Sequence, residues 1–308
     1  MLLLIKYTLL YGIVLMLVAL GGMFSEHSGI INIALEGIMV IGALGGALVL
    51  KFMPVSVGAP VMVITTVIVS ALFGMIFSLL LAVAAINFKA DQTITGTAMN
   101  MLATAAATVA VKAMNTAASG GNDVSSDISY TRTKDLLLVH VGGFELNWFM
   151  LVAVLCLIAA YVALYKTRFG LRLRACGEHP QAADSVGINV YKMRYAGTTI
   201  SGALAGMGGF VYALTTANCT ANGDVAGFGF LALAVMIFGN WKPLNVAGGA
   251  LLFGLFKCIA ACYSTLDING DGIYALTELG LNANFYRLLP YLITLIVLAF
   301  TSKLSLIH

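Results

Sequence analysis

Seven stretches of this chain, 7–24, 52–86, 92–111, 146–165, 195–223, 225–241 and 288–302, contain no Asp, Glu, Lys or Arg. A bilayer core about 30 Å thick is crossed by roughly 17–25 apolar residues in helical conformation. Most of the runs have that length, so the chain is constrained to a membrane-spanning bundle. The composition agrees: 60% of residues are hydrophobic and 9% charged, against about 25% charged in a soluble domain. The runs lack the two-residue alternation of a transmembrane barrel. The expected fold is all-α: a polytopic transmembrane helical bundle of about 8–10 spans with re-entrant or broken helices, in one domain over 1–308. Nine elements are expected, over 6–24, 29–50, 58–86, 92–112, 147–165, 195–216, 228–239, 244–262 and 285–301. The five cysteines fall mostly inside apolar runs without metal-binding spacing and read as small buried hydrophobes.

Charge sets the orientation. Lys166, Arg168, Arg172, Arg174, Lys192 and Arg194 gather in 166–194, which marks that segment as cytoplasmic. The 263–284 loop carries Asp267, Asp271 and Glu278 without Lys or Arg, which suits the outside. The other long polar stretch, 113–146, with Gly120-Gly121 followed by Asn, Asp, Ser and Thr, reads as an extracytoplasmic solvent loop. Counting five simple spans back from 166 places Lys6 outside. A re-entrant element within 21–50 would reverse that.

Polar residues interrupt the apolar pattern in three places. In "FSEHSGIINIALEG", Glu26 and His27 read as a surface turn and Ser28 as an N-cap, whereas Asn32 and Glu36, four apart on one helix face, read as a cavity-facing pair. In "NFKADQTITGTAMNML", Lys89 and Asp91 mark a cytoplasmic turn, and Thr93, Thr97 and Asn100 fall on one stripe. The threonines fit either helix–helix hydrogen bonding or a solute path; Asn100 fits the path better. "GFGFLALAVMIFGNWKPLNVAGG" reads as a half-helix, a turn and a full helix, and broken helices often border transport pathways. The spacings Gly42/Gly46, Gly202/Gly206 and Ala205/Gly209 read as packing seams.

The cytoplasmic stretch "LRLRACGEHPQAADSVGINVYKMRYAGTTISGALAGMGGFVYAL" resembles the permease subunits of bacterial ABC importers of the branched-chain amino acid, monosaccharide and nucleoside group. "GGMFSEHSGIINIALEGIMVIGA", "FKADQTITGTAMNML" and "FGNWKPLNVAGGALLFG" are most similar to its nucleoside permeases, which work with basic-membrane-protein lipoproteins. The resemblance implies a multi-pass subunit of the bacterial cytoplasmic (inner) membrane that moves purine or other nucleosides inward. The implied partners are a second homologous permease, an ATP-binding subunit, a substrate-binding lipoprotein and membrane lipid, with no nucleic acid. A permease for ribose, galactose or another simple sugar is the alternative. An intramembrane enzyme or a channel is more distant, because His27, His140, His179 and His308 form no recognisable catalytic set and no run looks like a selectivity filter. The sequence has no G-x-x-x-x-G-K-[ST], so no cofactor is intrinsic and ATP hydrolysis falls to a partner. Gly177, Glu178, Ala182, Ala183, Gly187 and Ile188 lie in the segment expected to couple to that ATPase, the small residues permitting close approach.

"DINGDGIYALTE" fits the calcium-binding loop pattern D-x-[DN]-x-[DN]-G-x5-E, although no pair of soluble helices is evident around it and the resembled family does not account for it. Asp267, Asn269 and Asp271 would supply side-chain oxygens, Ile273 its carbonyl, and Glu278 a bidentate carboxylate. The other reading is a solvated acidic turn. Calcium bound with a Kd of about 10⁻⁴–10⁻³ M would raise the melting temperature of the intact chain, and removing Asp271 and Glu278 would abolish the rise. A melting temperature that calcium never shifts rules out the metal site.

Overall fold

A computed structural model describes residues 2–54, 56–121, 125, 127–128, 138–141, 144–215, 224–262, 285, 288–293 and 295. Its helices are α1 (Leu2–His27), α2 (Leu35–Phe52), α3 (Ala59–Ala82), α4 (Gln92–Ala118), α5 (Trp148–Tyr165), α6 (Arg168–Glu178), α7 (Pro180–Ser185), α8 (Val190–Thr215), α9 (Phe228–Phe238) and α10 (Pro243–Cys262). A π-helical turn, Val83–Asn87, continues α3. Residues described within 285–295 are helical. Among the described residues the elements are helical apart from one hairpin, β1 (Leu138–Val141) against β2 (Phe144–Asn147), with Val141 paired to Phe144.

Among the described residues, six helices are long and apolar enough to cross a membrane: those over Leu4–His27, Leu35–Phe52, Ala59–Asn87, Gln92–Ala118, Trp148–Tyr165 and Pro243–Cys262. The equally long α8 is not among them. The reason is its position. It packs against α1, α2 and α3 at the centre of the bundle, so its surface meets protein, and small residues take the place of large aliphatic ones. A Cβ at Gly42 of α2 would strike the Gly206 backbone, one at Gly209 the Met39 carbonyl, and one at Gly206 the Ser70 carbonyl of α3. Gly21 of α1 lies against Ser201, where a Cβ would fall 2.8 Å from the carbonyl oxygen. Gly42, Gly46, Gly202, Gly206 and Gly209 are packing seams, as their spacing suggests. Lipid-like faces lie outside: Ile64, Ile68 and Ile76 on α3 and Leu151, Leu155 and Ile158 on α5 are all exposed.

The end of α1, the end of α3, the start of α4, α6, α7, the start of α8 and the α9–α10 turn gather at one end. The Tyr195 hydroxyl donates to the Asn87 side-chain oxygen at 3.2 Å, and a Cβ at Gly29 would touch Arg194 and the Cys176 carbonyl. Lys89, Lys166, Arg168, Arg172, Arg174, Lys192, Arg194 and Lys242 belong to these segments. Helices α1 to α5 alternate, so Lys6 starts at the opposite end, in agreement with the simple count of spans. Cys176, Cys258 and Cys262 are buried and Cys156 is half-buried.

Two boundaries differ from expectation. The second helix begins at Leu35 rather than 29, because 28–34 consists of two turns joined by three residues outside any regular element. The stretch read as a loop from 113 stays helical to Ala118 and closes with the hairpin. Buried Asn115 accepts a hydrogen bond from Lys51 Nζ at 3.0 Å and donates to the carbonyl of Ser125 at 3.0 Å, which anchors that last turn. The seam predicts a contrast between two glycines. Gly206→Ala should destabilise the detergent-solubilised chain by about 1–3 kcal/mol through overpacking, whereas Gly248→Ala, whose Cβ meets nothing within 4 Å, should leave the melting temperature unchanged.

Candidate functional site

Helix α1 ends where Ser25 and Ser28 close its last turn: Ser28 Oγ donates to the Ser25 carbonyl at 2.6 Å, and Ser25 Oγ to the Ile30 carbonyl at 2.8 Å. Ser28 thus terminates α1 rather than capping a following helix. The chain then climbs along α4. Ile31 N–H donates to Gln92 Oε1 at 2.8 Å, Ile33 and Ala34 lie against Gly96, and Gly37 N–H donates to Asn100 Oδ1 at 2.7 Å. Non-helical backbone at membrane depth must find protein partners, and the asparagines provide them. Asn100 Nδ2 donates to the Ile33 carbonyl at 3.0 Å. Asn32, fully buried, donates to Ser201 Oγ at 2.9 Å and accepts from Ala34 N–H at 3.1 Å.

Glu36 does not share a cavity face with Asn32. Its carboxylate reaches across to α9, where Oε1 accepts from Gly227 N–H at 2.7 Å and Oε2 from Gly229 N–H at 2.6 Å. The first amides of a helix have no partner within the helix and carry partial positive charge, so a carboxylate there satisfies both hydrogen bonding and dipole. Gly227 adopts φ +74, and a Cβ on Gly229 would lie 2.5 Å from Glu36 N. Beside this junction Tyr212 and Phe228 pack at 4.9 Å, and Lys257 Nζ sits 4.7 Å from the Phe228 ring centre.

Helix α4 opens on Asp91, whose Oδ1 accepts from Thr93 N–H and Ile94 N–H, both at 2.9 Å. Thr93, Thr97 and Thr104 are exposed, and Thr108 is half-buried on the same stripe. Their hydroxyls bond along their own helix: Thr97 to the Thr93 carbonyl, Thr104 to that of Asn100 at 3.2 Å, and Thr108 to that of Thr104 at 2.8 Å. An open groove of ≈ 610 Å³ is lined by Asn100, Met101, Thr104, Ala105, Thr108 and Val109. This face mixes threonines with the exposed apolar side chains Met101 and Val109, whereas the exposed positions named on α3 and α5 are all aliphatic.

The segment 166–194 folds into α6, α7 and the start of α8. Thr167 caps α6 by accepting from Gly170 N–H at 3.2 Å. Six residues were expected on its partner-facing surface, and the structure divides them. Ala182, Gly187 and Glu178 are exposed and Ile188 is half-buried, whereas Ala183 is buried. Gly177 packs inward, where a Cβ would lie 2.5 Å from the His27 carbonyl oxygen. The close approach that Gly177 permits is therefore to α1 of the same chain. Helix α7 ends as Gly187 N–H donates to the Asp184 carbonyl at 2.9 Å and Ile188 N–H to that of Ala183 at 3.1 Å, with Gly187 at φ +81. Beside it Val186 is 74% exposed, an apolar side chain at the tip of the segment.

Glu26 and His27 are not a surface turn. They form the last turn of α1, half-buried, and both bind Trp241 in the α9–α10 turn: Trp241 Nε1 donates to Glu26 Oε2, and His27 Nε2 lies 3.1 Å from the Trp241 carbonyl, to which it donates. A cavity of ≈ 540 Å³ adjoins them, lined also by Tyr165, Arg174, Gly177, Glu178, Asn240 and Lys242. Sequence reasoning missed this role; the one available signal was that both residues fall within reach of an otherwise apolar helix end. Among the described residues no three His, Cys, Asp or Glu side chains cluster as metal ligands. Asp267, Asn269, Asp271, Ile273 and Glu278 lie outside the described residues.

Comparison with known proteins agrees with this architecture. Residues 4–298 match the family model described as branched-chain amino acid transport system / permease component. The guanosine ABC transporter permease protein NupQ of Bacillus subtilis is 39% identical over 296 residues, covering 94% of this chain and 89% of that protein. The nucleoside ABC transporter permease protein NupC of Lactococcus lactis is 36% identical over 297 residues, with the same coverage. The putative glucose ABC transporter permease protein TsgC13 of Haloferax volcanii is 28% identical over 300 residues, covering 93% and 88%. No solved structure matches. With six membrane-length helices, a cation-rich end carrying an exposed helical segment, and a match over nearly its whole length, the chain belongs to the family of branched-chain amino acid transport system permease components, the multi-pass, non-enzymatic membrane subunits of ABC transporters.

Proposed function

We propose that this chain is the permease subunit of an ATP-driven importer in the bacterial cytoplasmic membrane, moving purine or other nucleosides inward. The observation that carries the path is the outer face of α4. Thr93, Thr97, Thr104 and Thr108 lie on one stripe, with Asn100, Ala105 and the exposed Met101 and Val109 beside them, and lipid gives no reason for a line of four threonines. A solute rich in hydroxyls does, and so does the close approach of a second helix. The face thus lines a passage completed by a second homologous permease, with a non-identical pair as the simplest source of two different walls. Asn32, Glu36 and Asn100 hold the broken segments that border it.

The cation-rich end is cytoplasmic by the positive-inside rule. There α7 presents Ala182, Val186 and Gly187 to the ATP-binding subunit, and a substrate-binding lipoprotein delivers solute at the opposite end. The 39% and 36% identities to proteins named for guanosine and nucleoside transport support nucleosides as the cargo. The relative named for glucose, at 28%, favours a simple sugar as the second reading, since ribose and hexose hydroxyls suit the same threonines. Calcium in 267–278 would pin the outer loop and take no part in transport.

Reconstitution with the partner permease, ATPase and binding protein tests the cargo: labelled guanosine should accumulate with ATP, and unlabelled glucose should not compete. Accumulation of glucose and not guanosine selects the sugar reading. Coupling is tested at Gly187, where a left-handed φ costs a β-branched residue about 1–2 kcal/mol and an asparagine less. Gly187→Val should leave folding intact and raise the ATP consumed per solute, while Gly187→Asn stays near wild type. Unchanged uptake by the valine variant removes α7 from the coupling role.

A further inference from the structure

Helix α9 is held at both ends by carboxylates from the α1–α2 unit. At its start Glu36 accepts from Gly227 and Gly229. Beyond its end, Glu26 accepts from the Trp241 indole and His27 donates to the Trp241 carbonyl. Eleven residues of helix span about 16 Å, so α9 is a short strut between two latches.

The latches differ in what surrounds them. The Glu36 end is enclosed by Tyr212, Phe228 and Lys257. The Trp241 end is open on one side to the ≈ 540 Å³ cavity, whose far wall is Arg174, Gly177 and Glu178 of α6. The turn that carries Trp241 is also strained. Asn240 and Trp241 adopt consecutive left-handed conformations at φ 49 and φ 51, and a bulky non-glycine residue there is a genuine outlier. Such strain persists only where surrounding contacts over-determine it. Here the contacts from outside the turn are two side chains from one helix turn, Glu26 and His27, added to the turn's own backbone bonds, such as Asn240 N–H to the Ile237 carbonyl at 2.9 Å. That turn is itself seated on α6, because Gly177 lets the α6 backbone approach the His27 carbonyl.

We infer that Glu26, His27 and Trp241 form a coupling latch: displacement of α6 and α7 by the ATPase moves the end of α1, and Trp241 passes the movement to the short helix α9. The three are positioning residues; none needs to touch solute or nucleotide. The chain of contacts is continuous from Gly187 on α7, through α6 and Gly177, to His27, Trp241 and α9. The cavity supplies the room into which the turn swings. The strained turn supplies a second conformation, reached when the two bonds break. Within the permease reading, on which this inference rests, α9 then opens or closes one side of the broken-helix region that Glu36 and Asn100 organise.

The test uses the complete reconstituted importer, with labelled guanosine and labelled glucose as probes, and reads ATP hydrolysed per solute taken up. Trp241→Phe removes the indole N–H while keeping an aromatic ring, at some loss of volume, and Glu26→Ala removes its acceptor and leaves the indole in place. Both should raise the ratio about fivefold or more, the lower end of ordinary allosteric coupling factors. Glu26→Gln, which keeps an acceptor oxygen, should fall between them and wild type. A merely structural role lowers uptake and hydrolysis in proportion and leaves the ratio unmoved. A wild-type ratio in both Trp241→Phe and Glu26→Ala overturns the latch while leaving the transporter reading intact. A wild-type complex that takes up neither solute removes that reading and the latch with it.

Discussion

The fold depends on backbone meeting backbone along α8. Lipid tails are as apolar as leucine, so a membrane bundle gains little from hydrophobicity between its helices and is held by close packing and polar contacts. Gly202, Gly206 and Gly209 bring α8 against Ser78, Ser70, Gly74 and Met39, while Gly21 seats α1 against Ser201. These contacts fix α1, α2 and α3 around one central helix. They also explain why the most enclosed long helix is the one whose composition looks least like a membrane span: hydropathy reports exposure to lipid, and α8 has little.

Around that rigid centre the polar residues do a second job. A chain that leaves helical conformation inside a membrane exposes amides and carbonyls that water cannot reach. The segment 28–34 and the start of α9 are the two such places among the described residues. Asn32, Asn100 and Gln92 satisfy the first, and Glu36 the second. None of these side chains is in excess. A buried amide group left without its partner costs about 1–3 kcal/mol, so each break is specified by a particular side chain on a different helix.

Much of this was legible in the sequence. Eight of the expected elements match described helices to within a few residues, apart from the starts of α2 and α8 and the end of α4, and the cation count placed the end at which α6 and α7 lie. The half-helix and turn at 228–241 were readable from length alone. The partners were not. Glu26 and Trp241 are separated by 215 positions and Glu36 and Gly227 by 191; a lone acid in an apolar run carries no mark of whether it faces a cavity or a distant helix terminus. Gly177 misled for a related reason, since a small residue announces a close neighbour without saying whether that neighbour belongs to the same chain. The hairpin did leave a trace: in the sequence, "LVHV" and "FELN" are separated by Gly-Gly, a pair of residues that favours tight hairpins.

The same distinction between backbone seams and side-chain bonds says where movement can occur. Sliding α8 against α2 or α3 would drive Gly206 into Ser70 or Gly42 with no side chain to rotate out of the way. That interface behaves as one block. Helix α9 packs on the block through Leu233 and Met236 against Gly22 and through Gly229 against the Glu36 backbone, but its two ends are fixed by side-chain hydrogen bonds, which break and re-form without overlap of atoms. A transport subunit needs a frame that keeps its shape while one element changes position. In this chain the glycines supply the frame, and in the latch proposal Glu36, Glu26 and His27 hold the element that changes position.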